Sequence, residues 1–350
     1  MKNLKLGVVF GGKSTEHDVS IVSGTSIIKN LNKEKYEIYP IFIDKDGTWF
    51  ETNKIENALK IGEKINLNKK IENINEYLKK LDVIFPALHG LGGEDGSIQG
   101  MFELLGIPYV GPKILGSSIC MDKVYSKIIF EKANIMQAEY VYINKNKKNY
   151  TYLNEDFSEE ILDIEEIAKK ISEKIEFPMF IKPSNSGSSV GINKAHNMDE
   201  LKEFIEYASK FDNKILIEEN IIGKEIECAV LGNEEVEASI LGEIIPADEF
   251  YSFDAKYINK ESNTIMPARL SEETTRKIQE LAKKAYKATD CKGLARVDFF
   301  VNEKEEKIYI NEINTLPGFT EISMYPKLWE KTGLSYQDLL DKLISLAIYY

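Results

Sequence analysis

Cysteine is scarce in this sequence of 350 residues, which contains only Cys120, Cys228 and Cys291. The odd number argues against a complete disulfide framework, and the spacing of the three residues is unlike that of a metal site. Each cysteine lies among apolar neighbours in the sequence. We therefore expect reduced thiols that are buried in the core.

Long hydrophobic runs and an excess of basic residues are also missing. No apolar run approaches the roughly 18 residues of a membrane-spanning helix, and the first residues lead into a predicted strand, not a signal-peptide core. Lys and Arg total 45 against 57 Asp and Glu, which gives a formal net charge of −12. Nucleic acids and anionic membranes bind clustered basic residues. We therefore expect a cytoplasmic protein with a small-molecule partner, and no nucleic-acid or membrane partner.

The sequence lacks the Walker loop and the glycine motif of dinucleotide-binding proteins. Instead, an apolar run that predicts a strand leads into residues 182–191, which read K-P-S-N-S-G-S-S-V-G. The small side chains allow several backbone N–H groups to converge on one phosphate, and Lys182 would meet that phosphate as a point charge. The stretch indicates a phosphate-binding loop, with an ordinary Ser/Gly turn as the alternative.

Strands and helices alternate in the first third of the chain. Apolar runs at 4–10, 36–43 and 81–88 predict strands, and helical patterns follow the first and the last of them. This alternation predicts a parallel sheet with loops at the strand ends available for a ligand. We interpret the Lys/Asn/Glu-rich residues 54–80 as a peripheral excursion.

The pattern changes twice along the rest of the chain. It breaks near residue 113, and after Gly223 four strand patterns follow that look antiparallel. The fold class is therefore α/β, with an α+β C-terminal part. Residues 246–267 are polar and aromatic, and too long for a plain connection, so we expect a lid there. The expected units are 1–113, 114–213 and 214–350.

Acidic and amide side chains occur in the last two strand patterns. Glu312 and Asn314 are two residues apart and so share one face of a strand, and Asp298 lies in the preceding strand among apolar neighbours. These hard oxygen ligands suit Mg²⁺, and buried carboxylates without a partner are costly. The alternative is a solvated acidic edge. Arg296 shares the face of Asp298 and could clamp an oxyanion or form a salt bridge with these acids.

Other candidate residues lie next to predicted turns. Gly318 permits a close approach of the backbone to a ligand, and its N–H could donate to developing negative charge. Glu218 and Glu225 flank a turn at a strand end, where carboxylates can accept from an adenine amine or a ribose hydroxyl. Surface solvation explains these two acids equally well.

Short motifs follow one another in a specific order along the whole chain. They are GGKSTEHDVS (11–20), ALHG (87–90), GEDG (93–96), MDK (121–123), KPS (182–184), GSSVG (187–191), AKY (255–257), RVD (296–298), NEINT (311–315) and PG (317–318). Together they resemble the ATP-grasp superfamily and, within it, the D-alanine–D-alanine ligases. Each motif is weak alone, but their joint order is highly specific.

The resemblance implies a fold and a reaction. The fold is an N-terminal parallel-sheet domain followed by two ATP-grasp subdomains that sandwich ATP. In the reaction, ATP phosphorylates the carboxylate of one D-alanine, and the amine of a second attacks the acyl phosphate to give a peptidoglycan precursor. The implied cofactors are ATP and two Mg²⁺ ions, with Mn²⁺ as a substitute. The implied partners are D-alanine, ATP and a second copy of the chain in a homodimer.

The resemblance also implies a role for each matching residue. Catalytic roles fall to Glu16, Ser188, Tyr257, Arg296 and Gly318; substrate contacts to His89, Lys256, Ser323 and Met324; ATP contacts to Lys123, Lys182, Ser189, Glu218 and Glu225; and metal binding to Asp298, Glu312 and Asn314.

Two other functions stay open. A vancomycin-resistance-type ligase would make D-Ala-D-Ser or D-Ala-D-lactate. Tyr257 argues against lactate, because those ligases resemble this chain but carry a His in the lid region, and Met324 argues against D-serine, because a polar residue would be expected beside its hydroxyl. The second alternative is an inactive nucleotide-binding module, which the full set of acids and lysines argues against.

Overall fold

The computed structural model describes residues 3–154, 156, 158–187, 189–245 and 263–349. Three separate sheets with covering helices make up this part of the chain, which confirms the predicted α/β class. Several predictions fall outside the described residues: Ser188, Lys256, Tyr257 and most of the expected lid. None of the described helices combines the length and the apolar character needed to cross a membrane.

The N-terminal sheet has the order β4-β3-β2-β1-β5. Its strands are β1 (Leu4–Gly11), β2 (Tyr36–Ile43), β3 (Trp49–Thr52), β4 (Leu67–Lys70) and β5 (Val83–Pro86), and its helices are α1 (His17–Asn30), α2 (Ile74–Leu78) and α3 (Ser97–Leu105). The predicted parallel pairing is found between β1 and both β2 and β5. The expected excursion contributes β4, an exposed antiparallel strand at the edge of the sheet.

The central sheet is antiparallel and has the order β10-β9-β11-β6-β7-β8. Its elements are β6 (Tyr140–Asn146), β7 (Asn149–Leu153), β8 (Glu159–Leu162), α6 (Ile164–Ser172), β9 (Met179–Pro183), β10 (Asn193–Ala195), α7 (Met198–Ala208) and β11 (Lys214–Glu219). The boundary that we placed between residues 213 and 214 differs from this arrangement. β11 lies between β9 and β6 and bonds to both, so it belongs to the central sheet.

The third sheet has the order β14-β13-β12-β15-β16 and is antiparallel, as predicted. Its strands are β12 (Lys224–Gly232), β13 (Glu237–Ile245), β14 (Asn263–Ile265), β15 (Gly293–Asn302) and β16 (Lys307–Asn314). The remaining helices are α4 (Ile114–Met121), α5 (Lys123–Lys132), α8 (Glu272–Ala288), α9 (Met324–Thr332) and α10 (Tyr336–Ile348). Helix α4 contacts β16 and α5 contacts α8, so both helices join the third sheet.

The cores cross the boundaries between the sheets. One apolar cluster contains Leu6 and Val8 of β1 together with Leu339 and Leu343 of α10, and a second contains all three cysteines. The cysteines are free and buried, as expected for core thiols. The N-terminal sheet and the last helix described therefore form one packed unit.

Candidate active site

A cleft of about 980 Å³ is lined by strands of the central and third sheets and by loops that include those of the N-terminal unit. Among the predicted site residues that the structure describes, Asp298 is the exception that does not line it. Those that do are Glu16, His89, Lys123, Lys182, Ser189, Glu218, Glu225, Arg296, Glu312, Asn314, Gly318, Ser323 and Met324. Residues that are far apart in the sequence are thus gathered around one space.

Glu16 lies between two loops at the N-terminal side of the cleft. Gly11 and Gly12 both have φ of 94° and turn the chain from β1 towards α1, and Glu16 immediately precedes that helix. A Cβ atom added to Gly90 or Gly187 would lie 2.6 or 2.7 Å from Glu16 Oε2. The backbones of the residue 90 loop and of the predicted phosphate loop therefore enclose the carboxylate.

His89 links the N-terminal unit to the loop after β16. Its Nδ1 lies 2.9 Å from the Leu316 carbonyl oxygen, and its Nε2 lies 2.9 Å from Ser23 Oγ. Because a carbonyl oxygen can only accept, Nδ1 carries the proton and Nε2 accepts from the Ser23 hydroxyl. Burial lowers the pKa of His89, which favours this neutral ring. Ser23 Oγ also accepts from the Phe319 N–H at 3.2 Å, so the residues after β16 are tied to α1.

Glu94 also links the N-terminal unit to the loop after β16. It was not among the residues to which we assigned a role from the sequence. Its Oε2 accepts from the Gly90 N–H at 2.8 Å, and its Oε1 accepts from the Leu316 N–H at 2.9 Å. Burial, together with the charge of Glu16, raises the pKa of Glu94 to about 8. The GEDG motif that contains it was visible in the sequence, but its partner at Leu316 was not.

We expect Glu94→Gln to lower the melting temperature at pH 6, because an amide offers one acceptor where two N–H groups need one each, and a buried unsatisfied N–H costs about 1–3 kcal/mol. The folded protein binds the Glu94 proton more tightly than the unfolded chain, so this proton's contribution to stability is lost as pH rises from about 4.5 to about 8. The difference in melting temperature between wild type and variant, measured by thermal unfolding, should therefore be smaller at pH 9 than at pH 6.

A matched control is Glu72→Gln, which changes an exposed carboxylate. Its melting temperature should follow that of the wild type at both pH values. A Glu94→Gln gap of the same size at pH 6 and pH 9 would show that the proton on Glu94 contributes nothing to stability.

The predicted phosphate loop is held against the start of α5. Asp122, the N-cap of α5, accepts from Ser184 Oγ at 2.6 Å, and Lys123 Nζ donates to the Ser186 carbonyl oxygen at 2.6 Å. Ser189 has φ of 62°, so the loop bends sharply beside these contacts. Lys123 therefore lies next to the small-residue loop, as a phosphate-binding lysine would.

Lys182 and Glu218 form an ion pair on neighbouring strands, β9 and β11. Lys127, which we did not single out in the sequence, places its Nζ 3.0 Å from the other carboxylate oxygen of Glu218. Burial alone would raise the pKa of Glu218, but the two lysines lower it to about 2. Burial lowers the pKa of Lys127, and its attraction to Glu218 opposes that shift. Glu218 is thus a buried carboxylate that stays ionised between two cations.

The predicted metal ligands face one another on β15 and β16. Asp298 is paired with Glu312 and Arg296 with Asn314, and a β-bulge follows Asp298 directly. Arg296 donates from Nε and Nη2 to both Asp298 oxygens at 2.8 and 2.7 Å, and Asn314 Nδ2 donates to Asp298 at 2.9 Å. Arg296 also lies 3.2 Å from Glu227. The salt bridge that we gave as one role for Arg296 is present, and Arg296 lines the cleft as well.

The chemistry of this donor set fits a divalent cation. Asp298 and Glu312 lie directly opposite each other, and carboxylates so placed repel unless cations lie near them. Lys123 Nζ lies 3.8 Å from Glu312. Within the part of the chain that the structure describes, no three His, Cys, Asp or Glu side chains form a ready-made metal site. An ion here would therefore need phosphate oxygens and water to complete its coordination, as Mg²⁺ commonly does.

The start of α9 also lines the cleft. Ser323 is its N-cap, but Ser323 Oγ does not bond to an N–H of the first turn of α9 and instead contacts Thr320 Oγ1 at 2.8 Å. A Cβ atom on Gly318 would lie 2.9 Å from Ser323 Oγ, and one on Gly242 would lie 2.1 Å from Met324 Cε. Ser323 is therefore close to the Gly318 backbone, and Met324 packs down onto β13.

Two protein-family models match this chain. The model described as D-ala D-ala ligase N-terminus matches residues 5–112, and the one described as D-ala D-ala ligase C-terminus matches residues 129–345. The D-alanine–D-alanine ligase of Acetivibrio thermocellus is 51% identical to this chain over 368 aligned residues. The alignment covers 97% of this chain and 95% of that ligase. D-alanine–D-alanine ligase B of Clostridium tetani is 50% identical, with 99% and 94% coverage.

Solved structures agree with these matches. The VanG D-Ala:D-Ser ligase from Enterococcus faecalis superposes with a TM-score of 0.83 at 38% identity, covering 99% of this chain and all of its own. The D-alanine–D-alanine ligase of Bacillus anthracis, solved with ATP, gives a TM-score of 0.74 at 31% identity, with 99% and 98% coverage. The chain therefore belongs to the D-alanine–D-alanine ligase family, whose members are ATP-utilising enzymes with the ATP-grasp fold.

Proposed function

We propose that this chain joins two D-alanine molecules through an acyl phosphate, at the expense of ATP, to supply peptidoglycan precursors. The observation that carries this proposal is the cleft that is lined together by the small-residue loop, Lys123 and Lys182, by Glu312 and Arg296, and by Glu16. A carboxylate is a poor electrophile, so amide formation requires a phosphoryl leaving group. Residues that line the cleft can be assigned to binding of the first D-alanine, to phosphoryl transfer and to attack by the second amine.

We assign binding of the first D-alanine, the donor substrate, to Glu16. Its carboxylate is enclosed by the backbones at Gly90 and Gly187 and lines the cleft, so it is placed to hold the ammonium group of the first D-alanine. His89 lines the same region as a neutral ring whose nitrogens are committed to Leu316 and Ser23. We therefore give His89 the role of fixing the loop beside the substrate.

The phosphates of ATP would lie between Lys123, Lys182 and the 184–191 loop. Positive charge there spreads the charge that develops on the transferred phosphoryl group. Mg²⁺, for which Asp298, Glu312 and Asn314 are the proposed ligands, would supply further charge neutralisation when bound. Glu218 and Glu225 line the cleft and would accept from the adenine amine and a ribose hydroxyl.

Arg296 and the Gly318 backbone would stabilise the acyl phosphate and the oxyanion that forms on attack by the second amine. The start of α9 would hold the carboxylate of that second D-alanine, because a helix N-terminus and the Ser323 hydroxyl both favour an anion. Met324 would present an apolar surface to the methyl group.

Product identification tests the reaction. Incubation with ATP, Mg²⁺ and mixed D-amino acids should release phosphate and give D-Ala-D-Ala as the main product. Release of no phosphate would support the inactive module. Mainly D-Ala-D-Ser from equal acceptors would support the alternative that the similarity to the VanG ligase keeps open.

We expect Met324→Arg to raise the ratio of D-Ala-D-Ser to D-Ala-D-Ala severalfold in direct competition, because a cationic group can contact the D-serine hydroxyl. An apolar wall by itself rejects an added hydroxyl by about a hundredfold at most, so wild type should make some D-Ala-D-Ser when D-alanine is scarce. Met324→Leu keeps an apolar side chain of similar volume and should leave the ratio unchanged. Equal ratios in all three proteins would remove Met324 from the acceptor pocket.

We also propose Mg²⁺ as the working ion with Mn²⁺ as a substitute, a cytoplasmic location and a homodimer. The homodimer is supported by large apolar side chains that are exposed on α3 and α4, Leu104 and Leu115. Sedimentation at several protein concentrations would detect the dimer, and a monomer throughout would contradict it.

A further inference from the structure

A buried group of three charges lies beside the proposed nucleotide site. Glu218 bonds to Lys182 with one carboxylate oxygen and to Lys127 with the other. The side chains of Lys127 and Glu218 are 3% and 5% exposed, against 12% for Lys182. Lys127 Nζ also lies 5.2 Å from the centre of the Tyr140 ring. Lys127 is therefore the inner cation and Lys182 the outer one.

The two lysines differ in what surrounds them. Lys182 is the last residue but one of β9, just before the small-residue loop, where the proposed function has the ATP phosphates. Lys127 is on α5, its Nζ lies over the Tyr140 ring, and it lines the inner part of the same cleft beside Glu218. If ATP binds as proposed, Lys182 has to turn from Glu218 to a phosphate oxygen. This movement takes one cation away from a buried carboxylate.

We propose that Lys127 is a positioning residue whose ion pair with Glu218 allows Lys182 to leave that carboxylate for the phosphates of ATP. The inference rests on the proposed placement of ATP. Breaking a buried ion pair strands a charge and is strongly unfavourable. With Lys127 present, Glu218 keeps one partner throughout, and the cost of moving Lys182 is small. Without Lys127, Lys182 is the remaining partner and stays on Glu218.

The test compares ATP with adenosine, which has no phosphate and makes no demand on Lys182. We expect Lys127→Met to raise the Kd of ATP at least about tenfold, equivalent to about 1.4 kcal/mol, by titration calorimetry without D-alanine. The Kd of adenosine, followed by ligand NMR, should change by less than about twofold. In a Glu218→Gln background, which has no carboxylate charge to neutralise, Lys127→Met should change the Kd of ATP by less than about threefold.

Each other outcome overturns the inference. Equal weakening of ATP and adenosine would make Lys127 a general structural residue, and a tenfold loss that persists with Glu218→Gln would make it a direct nucleotide ligand. An unchanged Kd for ATP would leave it without a role in binding. If Lys127→Met does not fold, Lys127→Gln and its Glu218→Gln double variant give the same comparison. A wild-type protein that fails to bind ATP would refute the proposed function itself.

Discussion

Glu312→Gln is expected to lower turnover by at least about a hundredfold while the protein stays folded. Glu312 faces Asp298 across the β15–β16 pair and lines the cleft. Loss of one charge partner of the transition state commonly costs two to three powers of ten. Removing this carboxylate relieves its repulsion with Asp298 but also removes the ion pair with Lys123, so the melting temperature should change little. Both quantities are measured with saturating ATP, D-alanine and Mg²⁺.

The matched control for this variant is Glu305→Gln. Glu305 is exposed in the turn between the same two strands and pairs with Lys307 at the surface. Its turnover should equal that of the wild type. Near-normal turnover of Glu312→Gln at saturating Mg²⁺ would remove Glu312 from the proposed ligands and leave Asp298 and Asn314 to be tested separately.

Gly187→Ala is expected to lower kcat/KM for the first D-alanine by about a hundredfold. The added methyl group would lie 2.7 Å from Glu16 Oε2, closer than real Cβ atoms come to an oxygen, so the carboxylate has to move. A displacement of about 1 Å in a positioning group is enough for a loss of that size. Initial rates at varied D-alanine, fitted to separate donor and acceptor constants, should place the loss on the donor.

Gly100→Ala is the control for a general effect of replacing glycine. Gly100 lies within α3, where a Cβ atom would meet nothing closer than Ile114 Cδ1 at 3.9 Å, and alanine favours a helix. That variant should keep the wild-type rate and gain slightly in stability. A Gly187→Ala enzyme with an unchanged donor constant would show that Glu16 does not hold the first substrate.

The sequence predicted most strands because their apolar runs are short, regular and bounded by turn residues. β2 has the predicted limits, and the third sheet is antiparallel as expected. Glu312 and Asn314 were placed on one face from their spacing alone. Their alignment with Asp298 was not predictable, because it depends on the β15–β16 register and on a β-bulge that no local sequence motif indicates.

Partners that come from distant parts of the chain were also beyond local reasoning. Lys127 occupies an ordinary helical position on α5, and only the tertiary fold brings its Nζ to Glu218 of β11. The boundary that we placed between residues 213 and 214 separates β11 from its sheet for the same reason. A run of apolar residues shows that a strand forms but not which strands it pairs with. Local patterns encode the element, whereas the pairing is decided by the whole fold.

The packing of α10 against the N-terminal sheet has a consequence for biosynthesis. β1 and β5 leave the ribosome early, yet the apolar cluster that includes Leu6 and Val8 is completed by Leu339, Leu343 and Ile344. Until the chain has been made as far as residue 348, that cluster has the apolar residues of α1 but lacks those of α10, and the apolar surface left exposed is prone to aggregate. Folding of the first domain in the sequence is thus completed after translation of the residues that line the cleft.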